Sequence, residues 1–351
     1  MKDLFDTAGV RTTYGSAIFD DHVPETSADA VDRLERAGWV NVGKANLHEF
    51  AYGVTSQNLH YGVVPNPRAA ERTSGGSSGG SAAALAAGLA DGALGTDTGG
   101  SIRIPAACCG GAGFKPTYGL VSAGGVFPLA PSFDHVGPMA NDVGGLVDLM
   151  AGLVPGFDAA PLESLEEVSV GVAWLELCDP LVRERLEAAA KLFPRRATIG
   201  FPDAEGTQAV FMREVADVHR ELYEESMELY GENVQPKIER CLIVDDGEVA
   251  AAARERELLR ERAEEALGPH RLLLTPTLMF VAPPADVDEI AARGSFVRCT
   301  FPFNALGWPA LALPVGAAEF GLPASAQLVG RPGDDALVLG AALALEQALG
   351  R

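Results

Sequence analysis

The alternation of apolar and polar positions along the chain predicts helices interspersed with short strands. Residues 27–37 place Val31 and Leu34 on one side of a helix, with Ser27 as its expected N-cap and Gly38 as its stop signal. A run of consecutive leucines within residues 271–277 is typical of a buried strand. By the same criteria we predict helices over 81–90, 143–153, 181–192 and 335–349, strands over 39–43, 92–95 and 168–172, long solvent-facing helices within 213–267, and further core strands within 296–329.

The net charge of the chain argues against some classes of binding partner. The chain has 27 Lys+Arg against 48 Asp+Glu, a formal net charge of −21, which disfavours a nucleic-acid surface or an anionic membrane face for the chain acting alone. No apolar run has the length of a membrane span, and the start Met-Lys-Asp-Leu-Phe-Asp lacks the architecture of a signal peptide. We therefore predict a cytoplasmic protein that acts on a small molecule without direct nucleic-acid or membrane contact, and a homodimer stays open.

The cysteines carry no recognisable spacing for a metal or a disulfide framework. Five are present, and apart from the adjacent pair Cys108 and Cys109 they are scattered. Small buried apolar residues in a reducing compartment are the simpler interpretation. We expect neither a metal nor an organic cofactor.

Two glycine-rich loops that carry serines stand out from the rest of the sequence. The first reads Gly-Gly-Ser-Ser-Gly-Gly-Ser at 75–81, and the second reads Gly-Thr-Asp-Thr-Gly-Gly-Ser-Ile-Arg at 95–103. Such runs are often flexible linkers, but the intervening residues are mostly small helix formers suited to close packing on a sheet. Hydroxyl groups and exposed backbone N–H groups brought together in this way favour a hydrolase acting on carbonyl substrates.

A serine nucleophile needs a base, and lysine is the better candidate here. None of the six histidines stands in a context that indicates catalysis. A lysine whose pKa is lowered by burial can accept a proton near pH 7. Lys44 follows the apolar segment 39–43, at a predicted strand end, and is the expected base, whereas Lys115 is expected to anchor backbone carbonyls.

Two rival interpretations of the loops are weaker. The nucleophile elbow of an α/β-hydrolase requires a buried strand just before the serine, but residues 66–74 contain no apolar run. A phosphate-binding loop would need a Gly-Lys-Ser/Thr sequence after the glycines, and none follows.

The motifs together resemble the amidase signature family. The resemblance rests on both glycine-serine loops, on Gly-Lys-Ala-Asn-Leu-His-Glu-Phe at 43–50 and on Gly-Phe-Lys-Pro-Thr-Tyr-Gly at 113–119. It continues in order through segments at 132–138, 274–277, 302–309 and 327–333. It therefore spans nearly the whole chain.

The resemblance implies a Ser-cisSer-Lys triad that acts on a small-molecule amide through an acyl-enzyme. Ser101 would be the nucleophile, Ser77 on a cis peptide bond the relay, and Lys44 the base. Ser78 would be structural. The expected oxyanion donors are the backbone N–H groups of Thr98, Gly99, Gly100 and Ser101, and the expected braces of their loop are Asp97 and Arg103. The sequence does not indicate which residues bind the substrate, although Tyr52, Phe127 and Trp308 are candidate pocket aromatics.

The resemblance also implies the fold: an α/β protein, a single domain over residues 1–351, with a large mixed twisted sheet covered by helices on both faces. Within it we expect a signature core at about 39–140, a helical and pocket-wall region at about 141–270 and a sheet-completing part at 271–351. Family members usually have a helical segment and a first core strand before the Lys-Asp pair that stands here as Lys2 and Asp3. We expect a form extended upstream to be more stable.

Three functions remain open at this point. The glutaminase A subunit of tRNA-dependent amidotransferases typically has an acidic residue near the segment that reads Phe-Val-Arg-Cys here at 296–299. Because no acid is present, a stand-alone amidase is favoured over that glutaminase. The third alternative is a catalytically impaired member with a binding or structural role.

Overall fold

A mixed β-sheet forms the centre of the protein, which is described by a computed structural model over residues 1–160 and 162–350. Its eight strands lie in the order β3-β5-β4-β9-β10-β8-β6-β7, antiparallel from β3 to β8 and parallel from β8 to β7. The strands are β3 Gly92–Asp97, β4 Ala112–Lys115, β5 His135–Ala140, β6 Val170–Val172, β7 Arg196–Thr198, β8 Leu272–Pro276, β9 Ala310–Ala317 and β10 Pro323–Val329. A small separate hairpin pairs β1 Gln57–Asn58 with β2 Gly62–Val63.

Eleven α-helices are present in the described residues. They are α1 Asp29–Arg36, α2 Gly79–Ala86, α3 Arg103–Cys109, α4 Val143–Leu153, α5 Pro180–Lys191, α6 Gln208–Ser226, α7 Gln235–Leu242, α8 Asp246–Leu267, α9 Glu289–Val297, α10 Phe301–Leu306 and α11 Asp335–Ala348. Local signals set several of their ends. Asp142 caps α4 by accepting a hydrogen bond from Gly145 N at 2.8 Å, and Asp245 and Glu248 form a capping box on α8.

The helices cover both faces of the sheet because the side chains of a strand alternate between them. Leu272 and Leu274 of β8 belong to the apolar cluster that includes residues of α4, α5 and α11. Leu273, between them, belongs to a second cluster with residues of α6, α7 and α8. The predicted fold, a mixed α/β sheet with helices on both faces, is confirmed.

Several predicted elements match the structure closely. The helix expected over residues 143–153 is α4, the strand expected over 271–277 is β8, and the closing helix expected over 335–349 is α11. The charged region within 213–267 forms helices, as expected, but each of its three helices also buries an apolar side.

Three local predictions were wrong. Residues 39–43 form no strand, and Val40 and Val42 are largely exposed because no neighbouring strand pairs with them. Core strands were expected within 296–329, and only the later part of that range forms them, as β9 and β10; its first part belongs to the end of α9 and to α10, with Pro302 in the first turn of α10. Ser27 does not cap α1; its Oγ accepts a hydrogen bond from Ala8 N at 3.1 Å.

Within residues 1–160 and 162–350, no helix has both the length and the apolar character needed to cross a membrane. All five cysteines are buried and unpaired, as predicted.

Candidate active site

The two serine loops meet beside β3. Ser77 lies just before α2, and Ser101 lies between the end of β3 and the start of α3. Ser78 N donates to Ser101 O at 3.2 Å, and Ser78 Oγ donates to Thr96 O at 3.2 Å. The loops are therefore two parts of one structure, and the Ser78 side chain is structural, as predicted.

Ser77 adopts the backbone geometry that the resemblance implied. The Gly76–Ser77 peptide bond is cis. The Ser77 carbonyl accepts hydrogen bonds from His48 N and from Ser56 Oγ, each at 3.2 Å. These contacts fix the Ser77 carbonyl. They do not involve the Ser77 hydroxyl, which bonds a different partner.

That partner is Lys2. The Nζ atom of Lys2 lies 2.7 Å from Ser77 Oγ and 2.7 Å from Thr96 Oγ1, and the side chain is fully buried. Burial disfavours the charged amine and lowers the pKa of Lys2 to about 7, although the carboxylates of Asp97 and Asp134 oppose this effect. A substantial fraction of Lys2 is therefore neutral near pH 7 and able to accept a proton.

Lys44, the lysine predicted to be the base, does not contact the hydroxyl of Ser77 or of Ser101 in the residues that the structure describes. Lys44 Nζ instead donates to Phe5 O, and to Thr12 Oγ1 at 2.9 Å, and lies 3.4 Å from Asp3 Oδ1. The reason is the backbone pairing of Lys2 with Ala45, the residue after Lys44. Successive side chains of an extended segment point to opposite sides, so Lys44 faces away from the side that Lys2 shares with Ala45.

A signal for Lys2 was present in the sequence. Lys2 precedes Asp3 and the apolar Leu4 and Phe5, and the Lys-Asp pair belongs to the resemblance. Lys44 has the competing signal, because it follows the apolar segment 39–43, which was predicted to be a strand.

A buried ion pair braces the Ser101 loop. Asp97 accepts from Arg103 Nε at 2.9 Å and from Arg103 Nη2 at 2.8 Å, and both side chains are fully buried. Arg103 also donates to Asn304 Oδ1 at 2.7 Å and to Gln327 Oε1 at 2.6 Å. The predicted bracing role of Asp97 and Arg103 is confirmed.

The backbone N–H groups of the Ser101 loop form a further part of the candidate site. In the part of the chain that the structure describes, the N–H groups of Thr98, Gly99 and Ser101 have no hydrogen-bond acceptor. Buried backbone donors are nearly always paired with protein, water or ligand. All three residues line one cavity, so these donors are available to a substrate oxygen.

Gly100, the fourth predicted donor, has a different function. Its N–H donates to Asp97 Oδ1 at 2.8 Å and is not free. A Cβ at this position would lie 2.3 Å from Thr300 Oγ1, and φ is +130°. Glycine is therefore needed at position 100 for the turn and for the close approach of Thr300.

The cavity that Ser101 lines has a volume of about 240 Å³. Residues of α6, α7 and α9 form much of its wall, together with the segment 51–54. Of the three candidate aromatics, Tyr52 lines this cavity and Phe127 lines a neighbouring one that also contacts Thr98. Trp308 is buried in the core.

The remaining candidates are structural. Lys115 Nζ donates to Trp308 O at 2.5 Å and to Pro116 O at 3.1 Å, which confirms its predicted role as an anchor of carbonyls. His48, His135 and His219 are buried, and burial lowers the pKa of each well below the ordinary range. Among the described residues, no three His, Cys, Asp or Glu side chains cluster in a way that could hold a metal ion.

Comparisons with known proteins agree on one family. The sequence profile described as Amidase matches residues 1–154 and 184–339. The chain is 34% identical over 377 residues to AtzE, the 1-carboxybiuret hydrolase component of Pseudomonas sp. strain ADP, covering 99% of this chain and 82% of that protein. It is 36% identical over 409 residues to the A subunit of glutamyl-tRNA(Gln) amidotransferase from Anaeromyxobacter dehalogenans strain 2CP-C, with 100% and 82% covered. A crystal structure of an amidase matches with a TM-score of 0.91 at 37% identity, covering 99% of this chain and 83% of that one.

Proposed function

Because the chain belongs to the Amidase family, whose members hydrolyse amides, we propose that it is a stand-alone amidase that converts a small carboxylic acid amide to the acid and ammonia or an amine. One observation carries the proposal. The buried Lys2 amine lies 2.7 Å from Ser77 Oγ, and the next residue, Ser78, donates a backbone hydrogen bond to Ser101 O. Beside it, the N–H groups of Thr98, Gly99 and Ser101 have no acceptor among the described residues.

In the proposed reaction the neutral Lys2 amine accepts the proton of the Ser77 hydroxyl, which takes the proton of Ser101. Ser101 Oγ attacks the amide carbon, and the carbonyl oxygen becomes an oxyanion held by the free N–H groups of its loop. When the C–N bond breaks, the proton returns through Ser77 to the leaving nitrogen. Water then attacks the acyl ester on Ser101 by the same proton route and releases the acid.

The relay needs one adjustment from the observed geometry. Both serines belong to the described residues, yet no hydrogen bond joins Ser77 Oγ to Ser101 Oγ. Catalytic hydrogen bonds often form fully only when substrate binds. Rotation of a serine side chain between staggered χ1 positions moves its hydroxyl without moving the backbone.

We expect Ser101→Ala to abolish amide hydrolysis and covalent labelling by a fluorophosphonate probe, because the probe reacts only with an activated serine. Ser78→Ala is the matched control, since the Ser78 hydroxyl bonds a backbone carbonyl of β3. Labelling measured by intact mass should persist in Ser78→Ala. Undiminished hydrolysis by purified Ser101→Ala would contradict the assignment of the nucleophile.

The pH profile should follow the protonation of Lys2. Its pKa is about 7, and only the neutral amine accepts a proton. We therefore expect kcat/KM to fall about tenfold per pH unit below pH 7 and to level off above it. Steady-state rates on one amide between pH 5.5 and 9 test this, and a flat profile between pH 6 and 8 would contradict a lysine base.

The relative in Anaeromyxobacter favours a second candidate, the glutaminase component of a tRNA-dependent amidotransferase. Glutamine carries an α-ammonium group, and its recognition calls for a carboxylate in the cavity. None of the described lining residues is Asp or Glu, which supports the stand-alone amidase. Specific copurification of a tRNA-binding partner, together with glutamine hydrolysis dependent on that partner, would favour the glutaminase instead.

A further inference from the structure

We propose that the acyl part of the substrate carries a carboxylate and no ammonium group, and that Arg293 and Arg240 bind that carboxylate. This inference rests on the proposed amidase function and names the chemical class of its substrate. The charge distribution around the cavity beside Ser101 is unexpected. In a chain with a net charge of −21, the cavity beside Ser101 is lined by cations and, within residues 1–160 and 162–350, by no carboxylate.

The three cations come from two helices that face the cavity. Lys237 and Arg240 lie three residues apart on α7, which places them on one side of that helix. Arg293 lies on α9, between Ile290 and Val297, which also line the cavity. The positive charge is therefore presented by two helices that form a wall of the cavity.

The buried carboxylate of Glu289 neutralises one of the three cations, Lys237. Glu289 is 3% exposed and accepts from Lys237 Nζ at 2.8 Å and from Val54 N at 3.1 Å. Lys237 also donates to Tyr52 O. Lys237 is thus fixed between two acceptors, and each oxygen of Glu289 already accepts one hydrogen bond.

Arg293 is only weakly balanced by the same carboxylate. Its Nη1 lies 3.8 Å from Glu289 Oε1, beyond hydrogen-bond distance. The guanidinium carbon lies 4.6 Å from the centre of the Tyr52 ring, and the side chain is 27% exposed. Stacking on Tyr52 holds the guanidinium in position while its donors remain available.

Arg240 is not balanced at all. It is exposed at the cavity, and the described residues provide it with no hydrogen bond or ion pair. Three cations against one buried carboxylate leave two positive charges facing the space beside Ser101. An arginine donates a planar pair of N–H groups that matches a carboxylate, so an acidic acyl group is the complementary ligand.

The size of the cavity favours a small acyl group. A cavity of about 240 Å³ is below the range of roughly 300–1,000 Å³ typical of pockets for drug-sized ligands. A short dicarboxylic acid monoamide has a carboxylate for the arginines at one end and an amide for Ser101 at the other. An ammonium group in the same cavity would meet three cations and, among the described lining residues, no carboxylate.

Three amides of equal chain length test the inference: glutaramate, which has the carboxylate; pentanamide, which lacks it; and glutamine, which adds an ammonium group. We expect kcat/KM for glutaramate to exceed that for each of the other two by at least about tenfold. The ratio of glutaramate to pentanamide should fall several-fold in Arg293→Gln and in Arg240→Gln and should decrease as salt is added. Arg254→Gln, at an exposed arginine of α8 outside the cavity, should keep the wild-type ratio.

A second measurement, of binding, applies if turnover of the amides is too slow to measure. Each amide is used to protect Ser101 from the fluorophosphonate probe, and glutaramate should protect at the lowest concentration. Equal protection and equal kcat/KM for glutaramate and pentanamide, or a preference for glutamine, would overturn the inference while leaving the amidase function standing. A folded protein that neither reacts with the probe nor hydrolyses any amide would overturn the proposed function itself, and the inference with it.

Discussion

Lys2→Met should lose about 10³-fold or more in kcat for amide hydrolysis, because it removes the group that accepts the proton of the serine pair. Methionine has nearly the length of lysine and carries no amine. Replacing a buried charge by an apolar side chain of similar volume is often neutral or stabilising, so the melting temperature should change little. Loss of activity without loss of stability would separate a chemical role from a structural one.

Lys44→Met is the matched control for that experiment. Lys44 bonds Phe5 O and Thr12 Oγ1 and contacts Asp3, so its loss should lower the melting temperature. Its amine has no contact with either serine hydroxyl in the described structure, and kcat should stay within about threefold of wild type, as for a substitution outside the reacting groups. The opposite result, an active Lys2→Met and an inactive but folded Lys44→Met, would restore Lys44 as the base.

Asp97→Asn should destabilise the protein by about 3–5 kcal/mol, because it leaves the buried guanidinium of Arg103 without its counter-charge. Burial alone would raise the pKa of Asp97, but Arg103, Lys115 and Asn304 outweigh it and hold the pKa well below the ordinary range. The carboxylate is therefore ionised at neutral pH. An amide in its place would also turn its NH₂ group towards the donors that now bond one of the two carboxylate oxygens, which are Gly100 N at Oδ1 and Arg103 Nε at Oδ2.

The free energy of unfolding, measured by urea titration where the transition is reversible, tests this prediction. Asp32→Asn is the chemically identical control at an exposed pair, where Asp32 lies 3.0 Å from Arg36 with side chains 41% and 75% exposed. Exposed pairs contribute at most about 1 kcal/mol. Equal stability losses in the two variants would contradict a bracing role for Asp97.

Elements whose apolar pattern is unambiguous were predictable from the sequence. The helix α4 begins after an Asp cap and keeps Leu146, Leu149 and Met150 on its buried side, so its period and start signal agree. The strand β8 is a short apolar run ended by Pro276. In these segments the information lies within a few neighbouring residues.

Short apolar runs without such signals were not predictable. The segment 39–43 has the residue types of a strand, but a strand exists only where another pairs with it, and Val40 is 81% exposed. The segment 296–306 is apolar enough for a core strand, yet it continues α9 and forms α10. Apolar runs of this length suit a buried helix as well as a buried strand, and only the tertiary packing distinguishes them.

At the site, the sequence by itself determined those groups that are held in place by residues of the same loop. The bracing of the second loop by Asp97 and Arg103 depends on two residues that are 6 positions apart, and the cis peptide bond before Ser77 lies within its own glycine-serine loop. The tertiary structure alone decided which lysine meets Ser77 and which cations face the cavity. Lys2 and Ser77 are 75 positions apart in the chain, and α7 and α9 are further still from both serine loops. Such neighbours are selected by strand pairing and helix packing, in which a shift of one residue along an extended segment turns a side chain to the opposite side.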